Sequence, residues 1–168
     1  MSTENLKRGE AIKKLKDLVD SIDVGMVCTF VAGSDYPHAV PMSRQEVDED
    51  GAIWFLFSSE SETHHHVQQN NKVSLLYSDV TNYEFVTING TGEISQDQAR
   101  IDKYWNKMVE AWFEQGRQDP RIRVLKITPS EGHYWDKKSN KLVMFIKIAT
   151  SAISGKPMDI GRTGELEL

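Results

Sequence analysis

Short runs rich in β-branched and aromatic residues recur along this chain, and turn residues separate most of them. Such runs predict strands, and those over 39–47 and 52–57 flank the sequence Asp-Glu-Asp-Gly, a strong hairpin signal because Gly51 accepts a positive φ. The other predicted strands span 24–31, 72–78, 83–94, 121–127, 131–135 and 142–148. Gly90 and Gly92 predict a bulge or a close backbone approach within their strand. A mainly β (α+β) or barrel architecture follows, since regular strand-helix alternation is missing.

Three segments follow the spacing of an amphipathic helix. The first is predicted from Ile12, Leu15, Val19 and Ile22, which recur at intervals of three and four residues. A short helix is predicted to begin near Ser61, with Ser59 and Glu62 spaced as a capping box, and to end near Asn70. The longest stripe predicts one continuous helix, preceded by a second such box at Ser95 and Gln98 and ending at Gly116; its apolar residues are Ile101, Tyr104, Trp105, Met108, Val109, Trp112 and Phe113.

The length of 168 residues predicts a single domain over 1–150, followed by a loosely ordered, glycine-containing tail over 151–168. The net charge of −5 argues against general nucleic-acid binding, which usually needs a basic face. We expect no membrane span, because no apolar run is long enough. The single cysteine, Cys28, lies in an apolar run and is expected to pack in the core. Together with a polar N-terminus, it predicts a cytoplasmic, reducing location.

The most distinctive stretch runs from Tyr104 to Gly116, Tyr-Trp-Asn-Lys-Met-Val-Glu-Ala-Trp-Phe-Glu-Gln-Gly. Asp-Pro at 119–120, Val-Leu-Lys-Ile-Thr-Pro at 124–129 and His-Tyr-Trp-Asp at 133–136 follow it. In this order the segments resemble the general stress protein branch of the pyridoxamine 5′-phosphate oxidase-like family. The resemblance extends from the first helix to Ile148 and implies an FMN-binding split β-barrel with a few flanking helices.

The resemblance also implies a homodimer with two flavin mononucleotide (FMN) sites at the subunit interface. The positions that it assigns to the cofactor are Val40, Pro41, Met42 and Ser43 on one strand, Phe57, Ser58, Ser61, Thr63 and His64 around the next strand and helix, and Phe85 facing the partner's flavin. Three positions depart from the family pattern. Val40 stands where Arg is common, Phe57 where Thr is common, and Thr63 where Lys is common.

Two cations lie near enough in sequence to replace the missing phosphate partners. These are His64 and Arg44, although Arg44 should point to the opposite sheet face from Ser43 because strand side chains alternate. Ser59 and Ser61 are explained at least as well by helix capping as by phosphate binding.

Other chemistry-bearing residues have simpler interpretations. Adjacent histidines on a helix point about 100° apart, so 64–66 is expected to be a solvated helix face rather than a metal site. Trp105, Trp112 and Phe113 could contact a flavin, but their spacing favours core packing. We identify no metal site, and no residue stands out as a catalytic acid or base.

Two functions remain open from the sequence. The chain is either a flavin-binding general stress protein, acting as a weak FMN-dependent oxidoreductase or a flavin carrier, or a split barrel that has lost its flavin. In the second case it would be a non-catalytic protein that binds another small molecule or a partner. The strand order and the helix cap favour the first function, and the missing Arg, Thr and Lys favour the second.

Overall fold

Among the residues that the structure describes, the strands predicted from the short apolar runs form one sheet that closes on itself. A computed structural model describes residues 2–31, 33–137 and 161–168. Within these ranges the strands are β1 (Ser2–Thr3), β2 (Leu6–Lys7), β3 (Val24–Thr29), β4 (His38–Val47), β5 (Ile53–Ser58), β6 (Lys72–Asp79), β7 (Glu84–Ser95), β8 (Ile122–Lys137) and β9 (Gly161–Glu167). The helices are α1 (Arg8–Asp20), α2 (Glu62–Gln69), α3 (Gln98–Tyr104) and α4 (Lys107–Glu110), and Gly116–Gln118 forms a 3₁₀ turn.

Six strands make the barrel. In the order β8-β5-β4-β3-β6-β7 each pairs antiparallel with the next, and β7 pairs again with β8 to close the ring. Closure removes the free edges of these strands. This architecture confirms the expectation of a mainly β barrel with a few helices.

The hairpin between β4 and β5 forms where the sequence predicts it. Gly51 has a φ of 84°. The Asp48 carboxylate accepts hydrogen bonds from the Ala52 amide at 2.9 Å and the Trp54 indole at 2.8 Å. These contacts show that the Asp48 side chain stabilises the turn.

The strand β8 is continuous, whereas the sequence predicts two strands separated near Pro129. Its first half pairs with β5, and its second half pairs with β9. The pairing with β7 shifts register between Asn89 and Gly90, opposite Pro129. Proline has no N–H to donate to the neighbouring strand, and a bulge interrupts the regular hydrogen bonding at this point. The strand can therefore continue through Pro129.

The barrel interior and the face of α1 form the main core. The predicted stripe is confirmed at Leu15 and Val19, which are fully buried, and at Ile22, just beyond the end of α1, which is nearly so. Ile12, the fourth residue of the stripe, is half-buried. Cys28 is buried as expected, and burial raises the pKa of its thiol. None of the helices in the described ranges is long and apolar enough to span a bilayer.

The predicted single helix over 98–116 is wrong. Helix α3 ends at Tyr104, Trp105 has extended backbone angles, and Asn106 caps the separate helix α4. Asp97, rather than Ser95, caps α3. The apolar periodicity continues across the break, which is why the pattern alone does not reveal it.

The described part of the predicted tail, residues 161–168, is more ordered than the sequence predicts. This part forms β9, which pairs antiparallel with β8 and in parallel with β1 and β2. Its pairing partners come from the chain's start and from β8, so local composition could not indicate it. The strand predicted over 142–148 lies outside the described residues.

Candidate functional site

A cavity of about 500 Å³ opens between β4, β5, the start of α2 and the α4 region. This volume lies within the range of small-molecule sites. Eight of the ten residues that the sequence assigns to a cofactor line it, namely Val40, Pro41, Met42, Ser43, Phe57, Ser58, Ser61 and Thr63.

One wall of the cavity is apolar. Met42 and Phe57 come from the sheet, while Val109 and Phe113 come from the α4 region and are buried. Trp112 also lines the cavity but is 79% exposed, so the expectation that it packs in the core is wrong. Trp112 lies just beyond the end of α4, and Phe113 beside it is buried.

Asn106 sets the position of this wall. Its side-chain oxygen accepts hydrogen bonds from the amides of Met108 at 2.9 Å and Val109 at 3.0 Å. Its amide nitrogen donates to the Tyr104 carbonyl at 3.1 Å. Asn106 is a residue that sequence reasoning missed, and its type is the available signal, because asparagine is a preferred N-cap.

The polar side of the cavity is the beginning of α2. The Ser61 hydroxyl donates to the Ser58 carbonyl at 2.7 Å and accepts from the His64 amide at 3.2 Å. Ser61 is therefore the N-cap of α2, which supports the capping interpretation and corrects the predicted capping box at Ser59. Thr63, two residues further along the chain, is only 3% exposed.

A histidine–carboxylate pair lies at the same end of the cavity. His38 Nε2 and Glu62 Oε2 are 2.9 Å apart, and both residues line the cavity. The buried His38 Nδ1 has no hydrogen-bonding partner among the residues that the structure describes. The sequence does not predict this pair, because Glu62 is predicted to be a capping residue and His38 precedes the predicted strand.

His64 and Phe85 do not line this cavity. His64 is 8% exposed and contributes to a second cavity of about 450 Å³, which also contains Arg123. Burial lowers the pKa of His64, and the charges of Arg123 and His65 lower it further. A lowered pKa disfavours the charged imidazole, and His64 lies outside the cavity where the sequence suggested a cation. Phe85 pairs with Trp135 between β7 and β8.

The other two histidines of the run also differ from one another. His65 is exposed, whereas the half-buried His66 places its Nδ1 3.0 Å from the Thr29 hydroxyl. The expected solvated helix face is therefore correct only for His65. The described residues include no group of three or more His, Cys, Asp or Glu side chains placed to hold a metal ion.

Arg44 faces away from the cavity. Its guanidinium lies 3.3 Å from the Asp20 carboxylate and 3.6 Å from that of Asp23, and it donates to the Asp20 carbonyl at 3.1 Å. Ser43 lines the cavity, whereas Arg44 does not and pairs with carboxylates beside α1, as expected for side chains on opposite faces of the sheet. Arg44, the second candidate replacement cation, is thus held by ion pairs beside the C-terminal end of α1.

Solved structures share this arrangement of strands. A protein described as general stress protein 26 from Jannaschia sp. CCS1 is 26% identical, with a TM-score of 0.76 over 95% of this chain and 96% of that one. The general stress FMN/FAD binding protein from Xanthomonas citri is 27% identical, with a TM-score of 0.64 over 77% of this chain and 90% of that one. These similarities support the split-barrel fold.

Comparison of the sequence with known proteins finds a relative and a matching family profile. Protein bli-3 of Neurospora crassa is 24% identical over 128 residues, which span 70% of this chain and 61% of that protein. The profile of the family described as "Pyridoxamine 5'-phosphate oxidase like" matches residues 10–159. Because this match covers most of its length, the chain belongs to the pyridoxamine 5′-phosphate oxidase-like family.

Proposed function

We propose that the cavity between β4, β5 and α2 binds a flavin, and that the chain works as a flavin-binding general stress protein. The observation that carries this proposal is the coincidence of one 500 Å³ cavity with eight of the positions assigned to the cofactor. The Xanthomonas citri relative is described as FMN/FAD binding, which supports the same ligand class.

The lining suits part of FMN better than the rest. Met42, Phe57, Val109 and Trp112 offer apolar surface for the three-ring isoalloxazine, and Ser43, Ser58 and Gln45 offer neutral polar groups for its hydroxylated chain. The described lining includes no Arg or Lys for the phosphate dianion. The residues therefore fit the ring and the chain, and they do not fit the phosphate.

When bound, a flavin supplies redox chemistry that side chains lack. The contribution of this chain would be to position the ring against the apolar wall and to exclude water with Trp112 and Met108. We assign no catalytic residue. An oxidoreductase activity and a carrier role both remain compatible with this arrangement.

The proposal includes a homodimer, located in the cytoplasm. Val24, Met26 and Leu76 lie on the neighbouring strands β3 and β6, and all three are 38–50% exposed. Met26 pairs directly with Leu76 and, on its other side, with Pro41 of the cavity strand. A second copy covering this apolar face would lie beside the cavity.

A specific observation favours the second function, a barrel without flavin that binds another small molecule or a partner. This observation is the lack of a lysine or arginine among the described lining residues. A flavin that must place a phosphate there would lose charge-assisted hydrogen bonds that contribute about 1.5–3 kcal/mol each.

Titration of riboflavin and FMN into purified protein, followed by quenching of flavin fluorescence, separates the two functions. We expect saturable one-to-one quenching by at least one of the flavins. We also expect Val40→Arg to tighten FMN binding by about one to two decades, the effect of one charged hydrogen bond. Val80→Arg is the matched control, because Val80 is 72% exposed and lies outside the cavity.

Replacing all three departing positions is a harsher test, since Phe57 is 7% exposed and Thr63 only 3%. The variant Val40→Arg, Phe57→Thr, Thr63→Lys therefore needs a check of its fold by circular dichroism before titration. If neither the parent, nor Val40→Arg, nor the folded triple variant binds either flavin, the flavin-binding function is excluded and the non-flavin function remains.

A further inference from the structure

The polar end of the cavity carries a carboxylate, whereas an anionic ligand requires positive charge. Glu62 and His38 are the ionisable side chains among the described lining residues, and their side chains are joined at 2.9 Å. The Glu62 side chain is 74% exposed, so its carboxylate faces the solvent at the cavity rim. An incoming phosphate would meet this carboxylate.

The start of α2 already carries its own hydrogen-bond acceptor and its own anion. Ser61 accepts a hydrogen bond from the His64 amide, and Glu62 provides a carboxylate in the first turn. A carboxylate at this position satisfies the positive end of the helix dipole. The helix terminus is therefore less available to a ligand phosphate than an uncharged terminus would be.

Three arginines on the strands around the cavity are held elsewhere. Arg44 binds Asp20 and Asp23, and Arg121 binds Asp119 at 2.7 Å. Arg123, opposite Phe57 in the sheet, donates to the carbonyls of Pro120 at 2.7 Å and Ile122 at 2.8 Å and lines the second cavity. Moving any of these side chains into the cavity would break existing hydrogen bonds.

From this geometry we propose that the cavity selects an uncharged flavin of the riboflavin class over a phosphorylated one such as FMN. The inference rests on the proposed flavin-binding function and specifies its ligand. The ring packs on the apolar wall, and the hydroxyl groups of the side chain pair with neutral groups such as Ser43 and Ser58. Glu62 repels a terminal phosphate.

Dissociation constants for riboflavin and FMN, measured by fluorescence quenching on the same preparation, test the selectivity. We expect riboflavin to bind more tightly by about three- to tenfold, the size of one repulsive charge pair near a protein surface. Raising NaCl from about 20 to about 300 mM should tighten FMN binding and leave riboflavin binding unchanged, because salt screens repulsion. A phosphate held by cations would show weaker FMN binding at high salt.

Glu62→Gln removes the charge with little change in size. This variant should tighten FMN binding about three- to tenfold and change riboflavin binding by less than about twofold. Glu60→Gln is the matched control, because Glu60 is exposed on the turn just before α2 and does not line the cavity. The control should change neither constant by more than about twofold.

The results distinguish this inference from the function on which it rests. Tighter binding of FMN than of riboflavin, weakened by salt, overturns the selectivity and leaves the flavin-binding function intact. An unchanged preference in Glu62→Gln overturns the role of Glu62. No binding of either flavin overturns the proposed function itself, and the selectivity with it.

Discussion

Trp112 and Phe113 are adjacent residues with opposite surroundings. Phe113 is 6% exposed and packs with Trp105, their ring centroids 6.4 Å apart, whereas Trp112 is 79% exposed. Both belong to the same apolar stripe in the sequence. At the residue scale, burial is therefore not set by the apolar stripe alone, since both residues lie beyond the end of α4 at Glu110.

Truncation of these two side chains should have opposite effects. We predict that Phe113→Ala lowers the free energy of unfolding by about 3–5 kcal/mol, as for a buried aromatic residue. Trp112→Ala should lower it by less than about 0.5 kcal/mol and weaken flavin binding instead. Urea denaturation and flavin titration measure the two effects. A large loss of stability in Trp112→Ala would show that this tryptophan is covered in solution.

Asp119 gives the fold a specific dependence on acid. Its carboxylate accepts hydrogen bonds from Arg121 Nη2 at 2.7 Å, Arg121 Nε at 3.0 Å and the Arg121 amide at 2.9 Å. These bonds hold the pKa of Asp119 well below its ordinary value of 3.8. A lowered pKa in the folded state stabilises the protein above the unfolded pKa, and this stabilisation is lost as pH falls below it.

We therefore predict that Asp119→Asn destabilises the protein at pH 7 and flattens the decline in stability between about pH 4 and pH 2. Urea midpoints measured across this range test the prediction. Asp35→Asn, on an exposed turn, is the control and should follow the parent. A decline in Asp119→Asn as steep as that of the parent would exclude Asp119 as a source of the acid sensitivity.

At the scale of elements, the paired strands β7 and β8 approach each other closely at Gly90. A Cβ atom on Gly90 would collide with the carbonyl oxygen of Thr128, at the bulge opposite Pro129. The obstacle is backbone, so it cannot move aside as a flexible side chain would. The predicted bulge or close approach at this glycine is confirmed.

Gly90→Ala should lower the free energy of unfolding by about 2–4 kcal/mol, because the strands must separate to admit the methyl group. Gly9→Ala is the matched control. Gly9 lies in the first turn of α1, where an added methyl group would have no neighbour within 4 Å among the described residues. Its replacement should raise stability by up to about 1 kcal/mol. Equal destabilisation by both changes would contradict the steric explanation.

At the scale of the whole molecule, the apolar face of β3 and β6 is the surface that a second copy would cover. Met26 is 38% exposed and Leu76 41% exposed, and they are direct partners in the sheet. Two carboxylates introduced at this pair would lie close to one another and to the same residues of a second copy. Burying these like charges would destabilise the dimer.

We predict a dimer by light scattering at micromolar concentration, and a monomer for the double variant Met26→Glu, Leu76→Glu. Val80→Glu, on a turn and 72% exposed, should remain dimeric. A parent protein that scatters as a monomer would remove the homodimer from the proposed function. A double variant that remains dimeric would place the interface elsewhere.

The local sequence is sufficient to predict much of the barrel. The β4–β5 hairpin, the face of α1, the end of α2 near Asn70 and the close approach at Gly90 all follow from turn chemistry and side-chain periodicity. Eight of the ten assigned site residues meet in one cavity, because strand order carries the family resemblance. These features depend on residues close together in the chain, or on an order of segments that the sequence displays directly.

The tertiary structure decides the chemistry of the cavity. Periodicity indicates which residues share a face, but it does not indicate that Asp20 and Asp23 hold Arg44, or that His64 is buried beside Phe57. The pairing of His38 with Glu62 joins two elements that are well separated along the chain. Ion pairs and burial are set by such long-range packing. Local patterns in the chain therefore predict individual strands and turns, whereas the closure of the barrel and the charge that the cavity presents are fixed only once the chain has folded.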